Sequence, residues 1–426
     1  MSGIVGVTTE RHGAAAHYLI YGLYALQHRG QVNAGVCLLD SNQLIIKKGS
    51  GQINSLFPDN ISMNLPGNRG VGHVKYGDYR KYDIEQPILP KEYDINGVKC
   101  LLSLDGNILN PDFSLYYLAK ALHSSLAEGK EYLNKLRGAF AGVYMDPYKM
   151  IGFRDQYGLK PLCVGKLDDG YIIASETCAI DSCGAVFIRD LDIGEMVVIQ
   201  GNKLDFHLYS KNTQKKSCIF ELIYVARPDS YWDGLSVYKA RNQMGRLLYE
   251  ECPTEGDIVM GAPDSGLIAA IGYAEASRIP YKDGIIKNRY IGRTFLTTNE
   301  DERLTDIYIK LNPVKEVLKD KRIILIDDSI IKGSTSSRTV KMLREAGAKE
   351  VHVRISAPMY RYPCNLSMDV PDVEALMAYN RTCEEIREKI DADSLYFLSH
   401  AGLLEACGGE NNFCDHCITG NYPIDY

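Results

Sequence analysis

Hydrophobic and polar positions follow two different patterns along the chain. Up to about residue 205, short β-like runs are separated by glycine turns, among them GIVGV, NAGVCLLD, GAFAGVYMD and GEMVVIQG. Two helical stretches interrupt these runs, near residues 14–27 and 115–135. Many short strands with few helices between them are typical of layered α+β domains with mostly antiparallel sheets. We therefore predict such a domain for residues 1–215.

Beyond about residue 217 the pattern changes to strands that alternate with amphipathic helices. The predicted helices cover 238–250, 268–277 and 335–346, and the predicted strands cover 257–261, 283–286, 322–326 and 350–356. Such alternation indicates βαβ units around a parallel sheet. We predict an α/β domain for residues 216–426, with the boundary in the polar, lysine-rich run YSKNTQKKS.

Length and charge narrow the class of protein. A chain of 426 residues is too long for one ordinary core and favours two domains. A net charge of −6 argues against a protein that coats nucleic acid, because such a protein needs a basic surplus. The first residues lack the features of a secretory signal, and no run of 18 apolar residues occurs. These features predict a cytoplasmic protein with no membrane partner.

The most informative segment is RIILIDDSIIKGSTSSRTVKMLREAGA, residues 322–348. An apolar strand ends in Asp327 and Asp328, and a loop of small residues then leads into a helix. Glycine lets the backbone approach a ligand, and the N-terminus of a helix favours an anion. The paired acids can hold ribose hydroxyls or a Mg²⁺ ion that carries a diphosphate. The alternative is an acidic turn followed by an ordinary capped helix.

A second loop of small residues, Ala262-Pro263-Asp264-Ser265-Gly266, follows the predicted strand 257–261. Ligands of open α/β sheets bind at the carboxyl ends of strands, and this loop lies at such an end. It would suit pyrophosphate. Taken alone, it fits a simple turn equally well.

Long stretches of the sequence resemble the glutamine phosphoribosylpyrophosphate amidotransferases, in the same order and over nearly the whole chain. They include GLYALQHRGQ, RDQYGLKPL, ASETCAID, IFELIYVARPDS, AAIGYAEAS, IKNRYIGRTF, LIDDSIIKGST and REAGAKEVHVRISAP. The resemblance implies a class II glutaminase domain of the N-terminal-nucleophile type, followed by a type I phosphoribosyltransferase domain. It also implies phosphoribosyl pyrophosphate (PRPP) and ammonia or a small amine as substrates, nucleotides as effectors, and a homodimer or homotetramer.

The resemblance assigns roles to individual residues of the second domain. Mg²⁺ would contact Ser265, Asp327 and Asp328. The site entrance would carry Lys287, Arg289 and Arg293, near a flexible loop. The residues that would bind PRPP in the two loops are Asp264, Ser265, Asp327, Asp328, Ser329, Lys332, Gly333, Ser334, Thr335 and Ser336.

Twelve cysteines are many for a chain without signs of secretion, and they favour reduced thiols, metal ligands or catalysis over disulfides. One branch of the similar family carries a structural [4Fe–4S] cluster on four cysteines, which correspond here to Cys218, Cys364, Cys414 and Cys417. By ligand number, four thiolates suit zinc as well as an iron–sulfur cluster. A redox-active CxxC pair in FCDHCITGNYP is a further alternative.

The chain departs from the family in the glutaminase site. Ser2 stands where the family has its cysteine nucleophile, and removal of Met1 would free its α-amine. Lys75 replaces an arginine that grips the glutamine carboxylate, and lysine lacks the forked guanidinium. In Asp105-Gly106, a carboxylate replaces the asparagine of the oxyanion hole, where loss of one donor costs roughly 100- to 1000-fold in rate. The following segment is shortened and leaves Asp112 as a remnant.

We therefore expect a phosphoribosyltransferase that uses PRPP and ammonia or another amine, releases pyrophosphate and has no glutaminase activity of its own. One alternative is an ordinary glutamine-dependent enzyme of purine synthesis that uses Ser2. Another is a catalytically silent regulator that binds PRPP or nucleotides. Tyr308 favours the regulator, because the similar enzymes have an arginine at that place in their flexible loop.

Overall fold

Two antiparallel sheets face each other in the N-terminal half of the chain. The computed structural model describes residues 1–57, 65–76, 88–288, 311–368, 370, 372–409 and 412–424. The seven-stranded sheet has the order β11-β9-β10-β1-β4-β2-β3, and the six-stranded sheet the order β13-β12-β8-β7-β6-β5. The strands are β1 Ser2–Thr9, β2 Asn33–Asp40, β3 Gln43–Ser50, β4 Arg69–Lys75, β5 Lys91–Ile95, β6 Val98–Ile108, β7 Gly138–Met145, β8 Met150–Arg154, β9 Cys163–Leu167, β10 Gly170–Ala174, β11 Val186–Asp190, β12 Glu195–Gln200 and β13 Lys203–Leu208.

Helices cover the outer face of each sheet, so that this half has four layers. Ile4, Val71 and Leu101 belong to the apolar core between the sheets. The helices are α1 Ala15–Ala25, α2 Ile53–Leu56, α3 Leu115–Ser124, α4 Leu126–Lys135 and α5 Thr177–Ser182. The helices α1 and α5 pack on the seven-stranded sheet, and α3 and α4 pack on the six-stranded one. The predicted layered α+β architecture is confirmed.

Two details of the helices differ from the predictions. The single helix expected over residues 115–135 is two helices, because Ser125 has an extended backbone with φ −159°. Its hydroxyl accepts a hydrogen bond from the backbone N–H of Glu128 at 3.2 Å and so caps α4. The short helix α5 was not predicted, since its six residues are too few to establish a helical period.

The C-terminal half contains a parallel sheet of the order β17-β20-β21-β22. The predicted α/β architecture with a parallel sheet is confirmed, and the boundary between residues 215 and 216 stays a prediction. The strands are β14 Ser217–Cys218, β15 Tyr231–Trp232, β16 Leu235–Ser236, β17 Ile258–Gly261, β18 Ile285–Lys287, β19 Leu311–Pro313, β20 Arg322–Asp327, β21 Glu350–Ile355, β22 Ser394–Phe397 and β23 Phe413–Cys414. The helices are α6 Val237–Glu251, α7 Leu267–Ser277, α8 Lys315–Leu318, α9 Ser334–Glu345, α10 Cys383–Ile390, α11 His400–Ala406 and α12 His416–Thr419.

The predicted strand 283–286 lies outside this sheet. It corresponds to β18, which pairs with β19 in a separate antiparallel ribbon. Both strands are only three residues long, so their sequences carry no signal of which partner they choose. No helix in the described part of the chain is both long and apolar enough to cross a bilayer.

A buried ion network joins the two halves. The Arg29 guanidinium is fully buried and donates hydrogen bonds to Glu176 at 2.6 Å and to both carboxylate oxygens of Glu221, at 2.7 and 2.9 Å. Glu176 lies beside α5 in the first half, whereas Glu221 begins a π-helical turn of the second. Burial opposes ionisation of Glu176, but the neighbouring His28 and Arg29 hold its pKa well below the ordinary value.

Arg29→Leu should lower the free energy of unfolding by about 3–5 kcal/mol, because it leaves Glu221 buried without its cation. Arg11→Leu is the matched control, because Arg11 pairs with Asp169 on an exposed surface and its replacement should leave stability nearly unchanged. Urea unfolding followed by circular dichroism measures both. Equal stability of the two variants would show that the network does not hold the halves together.

Candidate functional site

The two loops of small residues emerge side by side at one edge of the parallel sheet. β17 and β20 are adjacent and parallel, with Gly261 opposite Ile326. The Ala262 backbone N–H donates to the Ile326 carbonyl oxygen at 2.8 Å. A Cβ atom on Gly266 would lie 2.4 Å from that same oxygen, so only glycine permits this approach. The structure therefore brings the two predicted loops together at the carboxyl ends of their strands.

The second loop ends at the N-terminus of α9. Gly333 has φ +77°, and a Cβ atom there would lie 2.0 Å from the Met377 side chain. Lys332, Ser334 and Thr335 are exposed around this turn, whereas Ser336 is buried. The free N–H groups of the first helical turn are a suitable site for a phosphate group.

Two acids lie at the end of β20. The Asp328 backbone N–H donates to an Asp327 carboxylate oxygen at 2.9 Å. Burial, and then the charge of Asp328, raise the pKa of Asp327 well above its ordinary value. Burial also raises the pKa of Asp328, while hydrogen bonds from Ser265 and Ser329 oppose the change. Two carboxylates that repel each other in a buried place fit the oxygen donor set of Mg²⁺.

Arg241 is a residue of this site that the sequence reasoning missed. Its guanidinium, on α6, is buried and donates to the carbonyl oxygens of Leu222 and Ala226, each at 2.8 Å. Its positive charge is a further influence that opposes the rise in the pKa of Asp328. The signal was hidden because Arg241 lies 87 positions before Asp328 in a helix with ordinary amphipathic spacing.

The predicted site entrance is described only in part. Lys287 is exposed at the end of β18 and forms a salt bridge with Asp264 of the first loop. Arg289, Arg293 and Tyr308 lie outside the described residues.

In the N-terminal half, the predicted glutaminase positions lie between the two sheets. Ser2 pairs with Lys75, and two positions along, Ile4 pairs with His73. Alternate residues of a strand share one face, so these side chains point toward the six-stranded sheet with Ile4. His73 Nδ1 lies 2.8 Å from the hydroxyl of Ser103 on that sheet, and burial lowers the pKa of His73 to about 3.

Asp105 lies on the same face of β6 as Ser103 and meets positive charge. Its Oδ2 is 3.4 Å from Lys160 Nζ and 3.9 Å from Arg29 Nη2. Burial alone would raise the pKa of Asp105. The positive charges of Lys160, of the α-amino group at Met1 and of Arg29 outweigh burial and lower this pKa. Asp105 is therefore a buried carboxylate rather than a neutral acid. Lys160, whose side chain is fully buried, was not singled out from the sequence.

The neighbouring Gly106 keeps a backbone that only glycine adopts readily. Its φ is +117°, and a Cβ atom would lie 1.9 Å from the Ala139 carbonyl oxygen. Asp112 is exposed in the turn before α3. Its side chain is open to solvent, so only its position in the sequence relates Asp112 to the acid that the family uses in this segment.

The four cysteines singled out in the sequence come from distant segments to one place. Cys218 and Cys414 are opposite each other in the pairing of β14 with β23. Cys417 follows on α12, and the Cys364 sulfur accepts a hydrogen bond from the Met368 backbone N–H at 3.4 Å. Burial, and then Cys364, raise the pKa of the Cys218 thiol to about 12, and all three other thiols act on Cys417 in the same direction.

These thiols are close enough to influence one another, yet they are not gathered around one point. In the described ranges, no three His, Cys, Asp or Glu side chains converge as ligands of a single ion do.

Comparison with known proteins places this architecture in one family. A profile for the glutamine amidotransferase domain matches residues 112–182. The chain is 40% identical to the amidophosphoribosyltransferase of Archaeoglobus fulgidus, covering 100% of this chain and 98% of the relative. The structure of the allosteric regulatory enzyme of purine biosynthesis superimposes with a TM-score of 0.91, at 38% identity, covering 99% of this chain and 96% of the other.

A second solved structure agrees. The glutamine PRPP amidotransferase of Bacillus subtilis, in complex with ADP and GMP, superimposes with a TM-score of 0.90 at 38% identity, covering 99% of this chain and 97% of the other. Identity at this level over the full length of both chains is well beyond a shared fold. The chain belongs to the amidophosphoribosyltransferase family of pentosyltransferases.

Proposed function

We propose that this chain transfers ammonia or another amine to C1 of PRPP, releases pyrophosphate and does not hydrolyse glutamine itself. The observation that carries the proposal is the contrast between its two sites. The two loops lie side by side at the carboxyl ends of adjacent parallel strands, which supports phosphate binding, whereas the predicted glutaminase position holds the buried carboxylate of Asp105.

In the transferase reaction, a bond forms between nitrogen and C1 as the bond from C1 to the diphosphate oxygen breaks, and nitrogen loses a proton. The α9 N-terminus would hold the 5′-phosphate, and Asp327 and Asp328 would hold Mg²⁺ and orient the ribose. The Ala262–Gly266 turn, with Ser265 and Lys287, would hold the leaving diphosphate. Bound Mg²⁺ would supply the positive charge that stabilises this leaving group.

Several features support the absence of glutaminase activity. An oxyanion is stabilised by hydrogen-bond donors, and an ionised Asp105 offers none. Ser2 is a weaker nucleophile than cysteine, and its carbonyl oxygen is held at 2.9 Å by Arg29 Nε. Lys75 keeps a positive charge for a glutamine carboxylate but cannot form the bidentate pair.

A second candidate is an ordinary glutamine-dependent amidophosphoribosyltransferase of purine synthesis. The match of residues 112–182 to the glutamine amidotransferase domain and the retained turn at Gly106 favour it. For this candidate, the Gly106 N–H would remain as an oxyanion donor, and Ser2 would act as the nucleophile.

We also propose a [4Fe–4S] cluster on Cys218, Cys364, Cys414 and Cys417, and nucleotides as ligands. The nearness of four thiols, three of them buried, supports the cluster, which would clip the C-terminal segment to β14. A relative solved with ADP and GMP supports the nucleotides. We further propose a homodimer or homotetramer, as in the similar family.

Asp327→Asn with Asp328→Asn should abolish Mg²⁺-dependent PRPP binding, because both cation ligands at the end of β20 are lost. Stability should change little, since the substitutions relieve repulsion between the half-buried Asp327 and the buried Asp328. Isothermal titration with PRPP and Mg²⁺ measures the affinity. Asp391→Asn, at an exposed position of the same half, is the control and should bind normally. Unchanged affinity of the double variant would refute the assignment of PRPP to the two loops at the edge of the parallel sheet.

Glutamate release from glutamine should be at background level, with or without PRPP and Mg²⁺, in both the native chain and Ser2→Cys. Restoring the nucleophile should not suffice, because the oxyanion would still form beside the Asp105 carboxylate. The double variant Ser2→Cys with Asp105→Asn tests that reason, since it restores the amide donor. Robust PRPP-stimulated release by the native chain or by Ser2→Cys would return the protein to the glutamine-dependent candidate.

Protein purified without oxygen should contain about four irons and four sulfides per chain. Replacing Cys414 and Cys417 by serine should remove the iron, whereas Cys252→Ser, at a half-exposed thiol elsewhere, should not. Metal analysis and the visible absorption of the cluster measure the content. One equivalent of zinc with no iron would contradict the cluster.

A further inference from the structure

Two buried hydroxyl groups beside the four cysteines, those of Tyr360 and Ser367, have no partner at ordinary hydrogen-bond geometry in the described structure, although the Ser367 hydroxyl interacts with the Cys218 thiol. Tyr360 is 1% exposed and Ser367 is 4% exposed. A buried donor left unpaired destabilises the folded state, so two such hydroxyls at one place require a reason. Neither residue contacts the PRPP site, and neither was singled out from the sequence.

Packing and backbone contacts place Tyr360 beside the thiols. The Tyr360 ring packs edge-on against Phe220, with ring centroids 5.4 Å apart. The backbone N–H of the following residue, Arg361, donates to the Cys417 carbonyl oxygen at 2.8 Å. Tyr360 also belongs to the same buried cluster as Cys218, Cys364 and Cys417, and burial and these thiols together raise the pKa of its hydroxyl.

Ser367 lies in the segment that follows Cys364. It lies one residue before Met368, whose N–H reaches the Cys364 sulfur, and its hydroxyl opposes part of the rise in the pKa of the Cys218 thiol. Its carbonyl oxygen accepts a hydrogen bond from Lys160 Nζ at 3.1 Å. The Lys160 ammonium therefore adds a buried positive charge to the same side of the cysteines.

Neutral thiols in an apolar core would not need such surroundings. A cluster held by four thiolates carries net negative charge, and its sulfur atoms accept hydrogen bonds. Buried negative charge is tolerated where donors and a cation face it. The Tyr360 and Ser367 hydroxyls supply such donors, and the Lys160 ammonium, which also pairs with Asp105 at 3.4 Å, is a nearby cation.

We propose that Tyr360 and Ser367 donate hydrogen bonds to sulfur atoms of the cluster and thereby raise its reduction potential. The inference rests on the cluster proposed above. Hydrogen bonds to sulfur draw electron density from the cluster, so they stabilise its more reduced state. A cluster tuned in this way yields an electron to dioxygen less readily, and Tyr360 and Ser367 act as tuning residues that preserve the attachment of the C-terminal segment.

The test compares Tyr360→Phe and Ser367→Ala with the native protein, all purified without oxygen. Tyr273→Phe is the matched control, because that hydroxyl is also buried without a partner but neighbours Tyr249 and Thr254 instead of the four cysteines. Iron content is measured first, then the midpoint potential by protein-film voltammetry and the rate of cluster bleaching in air.

The Tyr360→Phe variant should keep its iron, but its cluster should have a more negative midpoint potential and should bleach several-fold faster in air. The Tyr273→Phe control should match the native protein in both measurements. Ser367→Ala should shift in the same direction, and it alone decides the question if Tyr360→Phe does not accumulate. Potentials and bleaching rates of both variants equal to those of Tyr273→Phe would overturn the proposal. Native protein without iron would instead refute the cluster itself, which separates the two failures.

Discussion

The fully buried guanidinium of Arg29 is the group on which the arrangement of the two halves depends. A buried cation needs carboxylate partners, and those of Arg29 come from both halves, Glu176 from the first and Glu221 from the second. The same guanidinium donates to the Ser2 carbonyl oxygen and lies 3.9 Å from Asp105. One side chain therefore contacts both halves of the chain, the first strand and the carboxylate at position 105.

Lys160 extends this network in a second direction. Its ammonium group lies between the Asp105 carboxylate, at 3.4 Å, and the Ser367 carbonyl oxygen, at 3.1 Å. It thus connects the glutaminase position to the segment that carries Cys364. The carboxylate at position 105 has a structural role here, because it balances the buried charge of Lys160.

Local signals in the sequence predicted the two loops at the edge of the parallel sheet, whereas sequence reasoning missed the long-range contacts. The acids of β20 and the Gly333 turn are contiguous in sequence, so strand, loop and helix could be recognised together. Arg29 and Glu221 are 192 positions apart, and no spacing rule connects them. Arg241 and Lys160 were missed for the same reason. The break at Ser125 shows how one capping hydroxyl overrides a helical pattern that seems continuous.

The central claim is that the transferase site functions while the glutaminase site does not. The measurement is the rate of pyrophosphate release from PRPP in the presence of Mg²⁺, with either ammonium or glutamine as the source of nitrogen. With ammonium, we expect PRPP-dependent release of pyrophosphate at a rate that rises with pH, because free ammonia is the nucleophile. With glutamine, we expect only background release. Efficient release with glutamine, or none with ammonium at any pH, would contradict it.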